Sequence, residues 1–520
     1  MASRILGFAR DMLIAAILGT GPIADAFFVA LKLPNLFRRL FGEGAFNAAF
    51  VPAFSGLLAA EGRPAARQFA DEAFAVMAFW LGALTVLGEI FMPQLMLVLA
   101  PGFSEDPAKF ALTVDLARIT FPYLPLICLA ALVSGVLNGL DRFAAASASY
   151  VLYNVVSIAC MLWLTPYVPT AGHALAWGVS VSGVFQLCLL LWASYRAGMG
   201  LSLPRPRMTP QMWMLLRRMA PALVGAGVTQ LNFAMDIIIA SLLPPGTIAL
   251  LNYAERVMQL PLGVIGIAVG TALLPLLSRQ VRAGEADDSR TTLNRAIEYA
   301  LFLTLPAAVA LGVSALPIIT VLFSRGAFDP TSAVLSSQAL VAYAVGLPAF
   351  VLVKVLAPGF FARGDTSTPV RIALVCVTLN LVLNVTFNLG FILPAPYGEA
   401  LPSLAQVGPA LASSISASAN VLALGVMLYR RGQLLPDVGL KQRSVRMVLA
   451  STVMGVALLV AQRWLFATEL HGLARWIALV ALVIVGLVAY GGAAVLFGAG
   501  DVRQLVRMLA RRRGSRAAAP

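Results

Sequence analysis

Long apolar segments alternate with short polar segments along the whole 520-residue chain. A helix that crosses a lipid bilayer needs about 20 mostly apolar residues, and about fourteen segments approach or exceed this length. The pattern predicts an all-α polytopic membrane protein with about fourteen transmembrane helices. Predicted helices 1 to 14 lie near 5–20, 23–48, 72–98, 112–139, 146–165, 172–195, 213–243, 248–277, 296–324, 334–360, 369–393, 406–429, 446–466 and 474–498.

The composition agrees with a membrane protein. Apolar residues make up 60% of the chain and charged residues 12%, whereas soluble proteins average about 45–50% and roughly 25%. This excludes a soluble globular domain and also disordered, fibrous and disulfide-stabilised chains. No cleavage site follows the first apolar segment, so we expect it to remain as helix 1. The cysteines lie in apolar segments without metal-ligand spacing and are Cys128, Cys160, Cys188 and Cys376.

The basic residues are distributed unevenly between the two sets of loops. With the predicted helices, 29 of the 37 lysines and arginines fall on the side of the termini. The positive-inside rule therefore predicts that both termini are cytoplasmic. The net charge of +14 is spread over every inner loop, which favours contact with anionic lipids over nucleic-acid binding. Five basic residues fall on the outer side, namely Lys109, Arg118, Arg325, Arg463 and Arg475.

The chain contains an internal repeat. Residues 11–21 align with 236–246 at an offset of 225, and two further pairs align at an offset of 223: 51–55 with 274–278, and 123–125 with 346–348. The repeat predicts two six-helix halves of the same topology, as found in transporters that bind substrate between their halves. The predicted parts are 1–200, 201–432, helices 13 and 14 in 433–500, and a basic tail in 501–520. Pro34 and Pro261 are predicted to break helices 2 and 8 at matching positions.

Charged residues are concentrated in predicted helices 1, 2 and 8, although each costs about 2.5–3.5 kcal/mol in hydrocarbon. One interpretation is that Arg10–Asp11, Asp25–Lys32 and Glu255–Arg256 are neutralising pairs that only hold helices together. The other is that the cations bind an anion, because they outnumber the acids. Arginine binds phosphate through two parallel hydrogen bonds, which suits a diphosphate. The embedded cations are Arg4, Arg10, Lys32, Arg38, Arg39, Arg256 and Lys354, and the acids are Asp11, Asp25, Glu43, Asp236 and Glu255.

Several motifs resemble the MurJ (MviN) family of lipid II flippases, which belongs to the multidrug/oligosaccharidyl-lipid/polysaccharide exporter superfamily. The motifs are SRILGFARD (3–11), ADAFFVALKLPN (24–35), RR (38–39), EGAF (43–46), APGF (100–103), YAER (253–256), VKVLAPGF (353–360) and TP (368–369). The resemblance implies fourteen helices in two lobes around a cationic cavity, and a groove for the lipid tail at helices 13 and 14. It further implies a monomer in the bacterial cytoplasmic membrane that binds lipid II and membrane lipids and uses no organic cofactor.

The resemblance also implies site residues. The cavity arginines of the family correspond to Arg4, Arg10, Arg38 and Arg256, and its acid on helix 2 corresponds to Asp25. Lys32 and Arg39 complete the expected substrate-binding set. These groups would hold the diphosphate-sugar headgroup while the lobes alternate between inward-open and outward-open states. No bond is made or broken in such transport, so we expect no catalytic residue.

A sodium site is a further expectation. Asn380 and Asn384 are four residues apart on helix 11, so their amides share one face, and Asp236 on helix 7 supplies a carboxylate. Some members of the family bind sodium between these helices. The alternative is that Asp236 only repeats Asp11 and that the asparagines hydrogen-bond between helices.

Three functions compete at this level. The first is a flippase for lipid II or for another polyprenyl-diphosphate-linked glycan. The second is a drug or cation exporter of the MATE type, which needs an acidic cavity and is disfavoured by the surplus of arginine. The third is a membrane enzyme acting on polyprenyl phosphates, which normally places Asp, Glu or His clusters in a loop near the bilayer. The loops 196–212 and 430–445 contain no such cluster.

Overall fold

The structure is a computed structural model that describes residues 2–39, 45–392, 404–466 and 472–499. These residues form nineteen α-helices and no strand, which confirms the all-α class. The first ten are α1 (Ala2–Leu18), α2 (Pro22–Arg38), α3 (Ala45–Ala60), α4 (Gly62–Ile90), α5 (Met92–Leu99), α6 (Pro107–Thr120), α7 (Tyr123–Gly139), α8 (Phe143–Leu164), α9 (Ala171–Arg196) and α10 (Pro210–Ser241). The others are α11 (Thr247–Arg282), α12 (Ala286–Val313), α13 (Ala315–Phe323), α14 (Pro330–Phe361), α15 (Ser367–Phe387), α16 (Leu389–Ile392), α17 (Val407–Arg430), α18 (Val438–Leu465) and α19 (Leu473–Phe497).

Ten segments among the described residues are helical, long and apolar enough to cross a membrane. They coincide with predicted helices 3 to 6 and 9 to 14. The four predicted helices outside this set are 1, 2, 7 and 8, which correspond to α1, α2 with α3, α10 and α11. These four carry most of the embedded charge, and they occupy matching places in the two halves. The total of fourteen crossings stays a prediction.

The order of the helices repeats along the chain. Helices α4, α5, α6 and α8 begin at residues 62, 92, 107 and 143, and helices α12, α13, α14 and α15 begin at 286, 315, 330 and 367. Each pair of starting points is separated by 223 or 224 residues. Because this spacing matches the offset of the aligned motifs, the repeat predicted from sequence is present in the secondary structure.

Contacts divide the chain into two compact units. Among the described residues, the first contains 2–39, 45–249, 325–329 and 389–392, and the second contains 250–324, 330–388, 404–466 and 472–499. Helix α10 therefore packs with the first unit, against α3 and α4. The sequence repeat predicted a boundary between its halves near residue 200, and this boundary stays a prediction. The assignment of 433–500 to a lipid-tail groove also stays a prediction. The predicted tail 501–520 and Glu43 lie outside the described residues.

Aromatic stacking organises the core of the first unit. Phe50 on α3 stacks on Phe46, Phe54 and Phe69, with ring centroids 5.0, 5.7 and 5.5 Å apart. Methionines of α10 and of the preceding loop pack against the same cluster. Aromatic pairs of this kind contribute about 0.5–1.5 kcal/mol beyond the area they bury. This cluster therefore anchors α10 on α3 and α4.

The prolines predicted to break helices 2 and 8 do not do so. Pro34 lies inside α2 and Pro261 lies inside α11, and both helices continue beyond them. Proline removes one backbone hydrogen bond, which leaves the carbonyl four residues earlier without its helical partner. In α2 that carbonyl belongs to Ala30, and Thr120 Oγ1 of α6 donates to it at 3.1 Å. A neighbouring hydroxyl thus replaces the missing bond and keeps α2 continuous.

The second unit uses the same device to hold its last helix. Pro306 lies inside α12 and deprives the carbonyl of Phe302 of its helical donor. The hydroxyl of Tyr490 on α19 donates to this carbonyl at 2.7 Å. Helix α18 is attached to α12 as well, through Arg443 Nη1, which lies 2.8 and 2.9 Å from the two carboxylate oxygens of Glu298. These polar contacts fix α18 and α19 on α12.

Candidate functional site

Arg10 lies within α1 and pairs with its neighbour Asp11. Arg10 Nε and Nη2 both donate to Asp11 Oδ1, at 3.3 and 2.9 Å, and the two side chains are 14% and 11% exposed. The guanidinium carbon lies 5.2 Å from the ring centroid of Tyr153 on α8. The predicted pair is therefore confirmed. Two of the five guanidinium N–H groups serve Asp11, and the others donate to no described residue, so Arg10 has donors left for an anion.

Arg38 and Arg39 lie at the last turn of α2. Arg38 Nε donates to Asn35 Oδ1 at 3.2 Å, while Asn35 Nδ2 donates to the carbonyl of Leu31 at 2.9 Å. Asn35 therefore ties the Arg38 guanidinium to the helix backbone one turn earlier. The Arg39 guanidinium lies over the ring of Phe233 on α10, 5.0 Å from its centroid. Both arginines are thus held by neutral groups in addition to any anion they bind.

The other predicted substrate ligands are less enclosed or belong to the second unit. Arg4 on α1 is exposed, and Lys32 on α2 is half-buried. Arg256 on α11 is half-buried and lies in the second unit. Its neighbour Glu255 accepts a hydrogen bond from Gln259 Nε2 at 2.7 Å. The structure therefore brings the predicted cations of helices 1 and 2 into the first unit and leaves Arg256 in the second.

Asp25 forms a buried ion pair with Lys109, so the predicted Asp25–Lys32 pair is wrong. Lys109 Nζ on α6 lies 2.9 Å from Asp25 Oδ2, and the side chains are 7% and 2% exposed. Lys32 follows Asp25 by seven residues, which is roughly 10 Å along a helix. Lys109 instead comes from a different helix packed on α2. The residue assigned to an outer loop by the charge count is therefore a buried partner of the acid.

The carboxylate of Asp25 also caps the start of α11. The N–H of Gly246 donates to Asp25 Oδ2 at 2.6 Å, and the N–H of Ala249 donates to Oδ1 at 3.0 Å. The first N–H groups of a helix have no partner within the helix, and the helix dipole favours a negative charge there. Asp25 thus joins α2, α6 and the beginning of α11. It forms a structural junction in the first unit, and its predicted role in substrate binding stays a prediction.

Two glycines allow loops to approach backbone to backbone beside this junction. Gly246 has a φ angle of 93° and Gly326 one of 57°. A Cβ atom would lie 2.3 Å from the carbonyl oxygen of Thr20 at the first position and 2.2 Å from that of Ala16 at the second. The N–H of Ala327 donates to the same Ala16 carbonyl at 2.8 Å. The loop before α11 therefore contacts the loop before α2, the loop before α14 contacts the end of α1, and only glycine fits at both contacts.

This junction was missed by sequence reasoning at Lys109, Gly246 and Ala249. The first two positions carried a signal. Lys109 lies just before predicted helix 4, on the same predicted outer side as Asp25 at the start of predicted helix 2. Gly246 ends the aligned repeat segment. Ala249 acts through its backbone N–H, which no side-chain pattern reveals.

The predicted sodium ligands are divided between the two units. Asp236 lies half-buried on α10 in the first unit, and Asn380 and Asn384 are buried on α15 in the second. Asn384 Nδ2 donates to Asn380 Oδ1 at 2.8 Å, and Asn380 Nδ2 donates to Ser413 Oγ at 3.2 Å. The two amides therefore share a face, as the spacing predicts, and also hydrogen-bond to each other.

Asn388 extends this row of amides by one more turn. It is fully buried, and its Nδ2 donates to the carbonyl of Asn384 at 3.2 Å. Its Oδ1 is buried and accepts no hydrogen bond from the described residues. A neutral buried oxygen suits a hard cation such as sodium. The described residues contain no cluster of three or more His, Cys, Asp or Glu that could hold a metal.

Solved structures show the same fold. A structure described as "Lipid II flippase MurJ, inward closed conformation" matches with a TM-score of 0.77 and 24% identity, over 97% of this chain and 98% of that chain. An inward-facing MATE transporter of the MOP superfamily matches with a TM-score of 0.67 and 13% identity, over 82% and 94%. At these identities the likeness concerns the fold.

Sequence relatives are considerably closer. A protein from Rhizobium tropici described as "Probable lipid II flippase MurJ" is 42% identical over 520 residues, covering 99% of this chain and 95% of the relative. The "Lipid II flippase MurJ" of Burkholderia cenocepacia is 34% identical over 458 residues, covering 87% and 86%. The family described as "Lipid II flippase MurJ" matches residues 14–485. The resemblance inferred from the motifs is thereby confirmed, and this chain belongs to the lipid II flippase MurJ family.

Proposed function

We propose that this protein flips lipid II, the polyprenyl-diphosphate-linked precursor of peptidoglycan, from the inner to the outer leaflet of the cytoplasmic membrane by alternating access. The observation that carries this proposal is the family match over residues 14–485. Relatives described as lipid II flippases cover nearly the whole chain. Transport of this kind requires binding and release but no covalent step, so the protein acts as a transporter and not as an enzyme.

The arginines of α1 and α2 supply the headgroup contacts in this proposal. Arg10 keeps guanidinium donors beyond those used by Asp11, and Arg38 is oriented by Asn35. Guanidinium groups stay positively charged at any physiological pH and bind phosphate oxygens through paired hydrogen bonds. Arg4, Lys32, Arg39 and Arg256 complete the substrate-binding set within a cationic central cavity. The polyprenyl chain stays in the bilayer alongside α18 and α19.

The junction at Asp25 supplies the closure that alternating access needs. Its carboxylate holds Lys109 and the first N–H groups of α11 together. The charge count places these loops on the outer side. Release of the headgroup to the outer leaflet then requires this junction to open, and its re-formation resets the transporter. Asp25 therefore acts in closure rather than in direct contact with the diphosphate.

Energy for transport comes from a sodium gradient or from the membrane potential. In the sodium case the ligands are Asp236, Asn380 and Asn384. The Oδ1 of Asn388, which directly follows α15, is buried and accepts no hydrogen bond from the described residues, and this supports a cation near the amides of α15. In the other case, the potential acts on the cavity arginines.

Two alternatives remain distinct from this proposal. A MATE-type exporter shares the fold at 13% identity, but cation export requires acidic groups where this chain has arginines. Flipping of another polyprenyl-diphosphate-linked glycan uses the same diphosphate contacts and differs only in the sugar. A substrate assay therefore separates the candidates better than any single variant does.

The deciding experiment is depletion of the protein in its host, followed by measurement of which lipid-linked precursor accumulates on the inner leaflet. We expect lipid II to accumulate and wild-type protein to reverse this. An Arg371→Ala variant, which alters an exposed arginine of α15, should reverse it equally well. Accumulation of a different lipid-linked glycan would identify that glycan, and not lipid II, as the substrate. Unchanged precursor levels together with altered drug export would overturn the flippase assignment.

Location, orientation and oligomeric state are part of the same proposal. We place the protein in the bacterial cytoplasmic membrane as a monomer with both termini in the cytoplasm. Single cysteines at positions 198 and 169, in a protein whose own cysteines are replaced, report the orientation. A thiol reagent that does not cross the cytoplasmic membrane should label only position 169 in intact cells, provided that it can reach the outer face of that membrane. Labelling of position 198 instead would reverse the orientation.

A further inference from the structure

A basic cleft lies in the first unit at the beginning of α4, away from Arg10 and Arg38 in the chain. Its volume is about 690 Å³, and it opens to the surface. The loop between α9 and α10, residues 197–209, forms one wall, and the first turns of α4 form the other. Four arginines line it, namely Arg63, Arg67, Arg205 and Arg207.

The two acids in the cleft, Asp71 and Glu72, accept hydrogen bonds from neutral donors. Asp71 Oδ1 accepts from the backbone N–H of Ser202 at 2.8 Å, and Asp71 Oδ2 accepts from Ser202 Oγ at 2.6 Å. Glu72 accepts from Thr209 Oγ1 at 3.0 Å and from Gln68 at 3.1 Å. These bonds fasten the loop onto α4.

The lining keeps a surplus of positive charge, because four arginines face only two carboxylates, Asp71 and Glu72. Arg67 lies 3.9 Å from Asp71, at the limit of an ion pair. Arg63, Arg205 and Arg207 form no ion pair with any residue that the structure describes. Pro204 and Pro206 flank Arg205 and restrict its backbone to an extended form. The restricted loop therefore presents Arg205 and Arg207 at a small entropic cost.

The cleft is bordered by side chains typical of the membrane surface. Leu203 and Met208 belong to the same loop and are 67% and 48% exposed. Trp192 near the end of α9 and Trp213 at the start of α10 are also exposed. Tryptophan is enriched at the level of lipid headgroups. The exposed apolar residues on either side of the arginines favour contact of this loop with a bilayer over bulk water.

We propose that the cleft binds the phosphate-bearing headgroup of an anionic membrane phospholipid at the cytoplasmic surface. Guanidinium groups donate parallel hydrogen bonds to phosphate oxygens. The four arginines supply this chemistry, and the rim supplies contact with acyl chains. The bound lipid joins the α9–α10 loop to α4 and thereby stabilises the inner end of the first unit. A soluble phosphate compound offers the same charge but no acyl chain.

The test measures lipid binding by the purified full chain in neutral detergent, using native mass spectrometry and melting temperature. The probes are phosphatidylglycerol, phosphatidylcholine, inorganic phosphate and glycerol 1-phosphate. The test variant is Arg205→Gln with Arg207→Gln. The control is Arg279→Gln with Arg282→Gln, which removes the same charge from the end of α11 in the second unit.

We expect phosphatidylglycerol to bind and stabilise the wild type, and the test variant to bind it about 25-fold more weakly, because each basic residue contributes about a factor of five. The control should change by less than about twofold. Equal binding by both variants, or equal binding of phosphatidylcholine and phosphatidylglycerol to the wild type, would overturn the proposal. Saturation by inorganic phosphate or glycerol 1-phosphate at the lipid's affinity would overturn the assignment to a lipid and identify a soluble phosphate ligand.

Discussion

Lys109 Nζ and Asp25 Oδ2 lie 2.9 Å apart in the interior of the first unit, although 84 residues separate them in the chain. The same carboxylate accepts two backbone N–H groups at the start of α11. One side chain therefore connects three helices. Removal of either charge leaves the other buried in surroundings of low dielectric constant, where an unpaired ion is strongly unfavourable.

Lys109→Met should destabilise the protein by about 3–5 kcal/mol, the usual effect of removing one member of a buried pair. Thermal unfolding of the purified protein measures this as a fall in melting temperature. Lys441→Met removes an exposed lysine of α18 and should change stability by less than about 0.5 kcal/mol. The double variant Asp25→Asn with Lys109→Met should recover part of the loss. Equal melting temperatures for Lys109→Met and Lys441→Met would contradict the pairing of Lys109 with Asp25.

Gly246→Ala should disrupt the closure of the loops more than an ordinary glycine substitution does. The new Cβ would lie 2.3 Å from the Thr20 carbonyl oxygen, so the loops must separate. Gly284→Ala is a matched control, because Gly284 also has a positive φ of 76° but no atom within 4 Å of the added Cβ. The control should lose only the backbone preference, about 1–2 kcal/mol. Gly246→Ala should lose about 1–3 kcal/mol more through overpacking.

The two glycine variants are compared by melting temperature and by transport rate. If Gly246→Ala and Gly284→Ala lose the same stability, the backbone contact at Thr20 is not close in solution. A loss of transport in Gly246→Ala but not in Gly284→Ala would show that the contact between Gly246 and Thr20 is needed for transport.

Alanine at Arg10, Arg38 or Arg256 should abolish transport while the protein remains inserted and folded. Each change removes a phosphate ligand without opening a large cavity. Lysine at the same positions should restore transport only in part, because it keeps the charge and loses the paired hydrogen bonds of arginine. Complementation of a depleted host measures the effect, with Arg371→Ala as the control. Normal growth with alanine at all three positions would refute capture of the headgroup by these arginines.

The contribution of Asp365 to stability should depend on pH. Hydrogen bonds from Arg431 at 2.6 Å and from Thr368 hold the pKa of this carboxyl, in the loop after α14, well below its usual range. A depressed pKa stabilises the fold fully above the unfolded value of about 3.9, and the stabilisation is lost as pH falls through the folded value. Asp365→Asn should therefore melt below the wild type at pH 7, and the difference should shrink below about pH 4. The exposed Asp288→Asn should show no such difference.

Sodium should raise the melting temperature of the wild type and not that of Asp236→Asn. A ligand present at one hundred times its dissociation constant stabilises the folded state by about 2.7 kcal/mol. Potassium at equal ionic strength is the control for general salt effects. Equal stabilisation of both proteins by sodium, or none in either, would exclude the site and favour the membrane potential acting on the arginines. Asn388→Ala extends the test to the third amide of α15.

The sequence alone determined the helical class, the positions of ten apolar segments, the repeat and the family. These features depend on local properties, because the length and hydrophobicity of a segment decide whether it can cross a bilayer. It also offered the Arg10–Asp11 pair as one interpretation, because the two residues are adjacent in the chain, and the structure confirms this pair. The arginine-rich motifs of predicted helices 1 and 2 pointed to the family because charged residues in hydrocarbon are costly and are usually functional.

Only the tertiary structure decided which groups meet across helices. Asp25 pairs with Lys109 because α6 packs on α2. Lys32 lies seven residues from Asp25 along the same helix, which keeps their charges too far apart for an ion pair. Helix α2 continues through Pro34 because Thr120 of α6 donates to the buried carbonyl of Ala30, which has lost its helical donor. The acids of the basic cleft accept hydrogen bonds from a loop that lies more than 130 residues away in the chain. Such partners are set by the packing of distant segments, which local hydrophobic patterns do not encode.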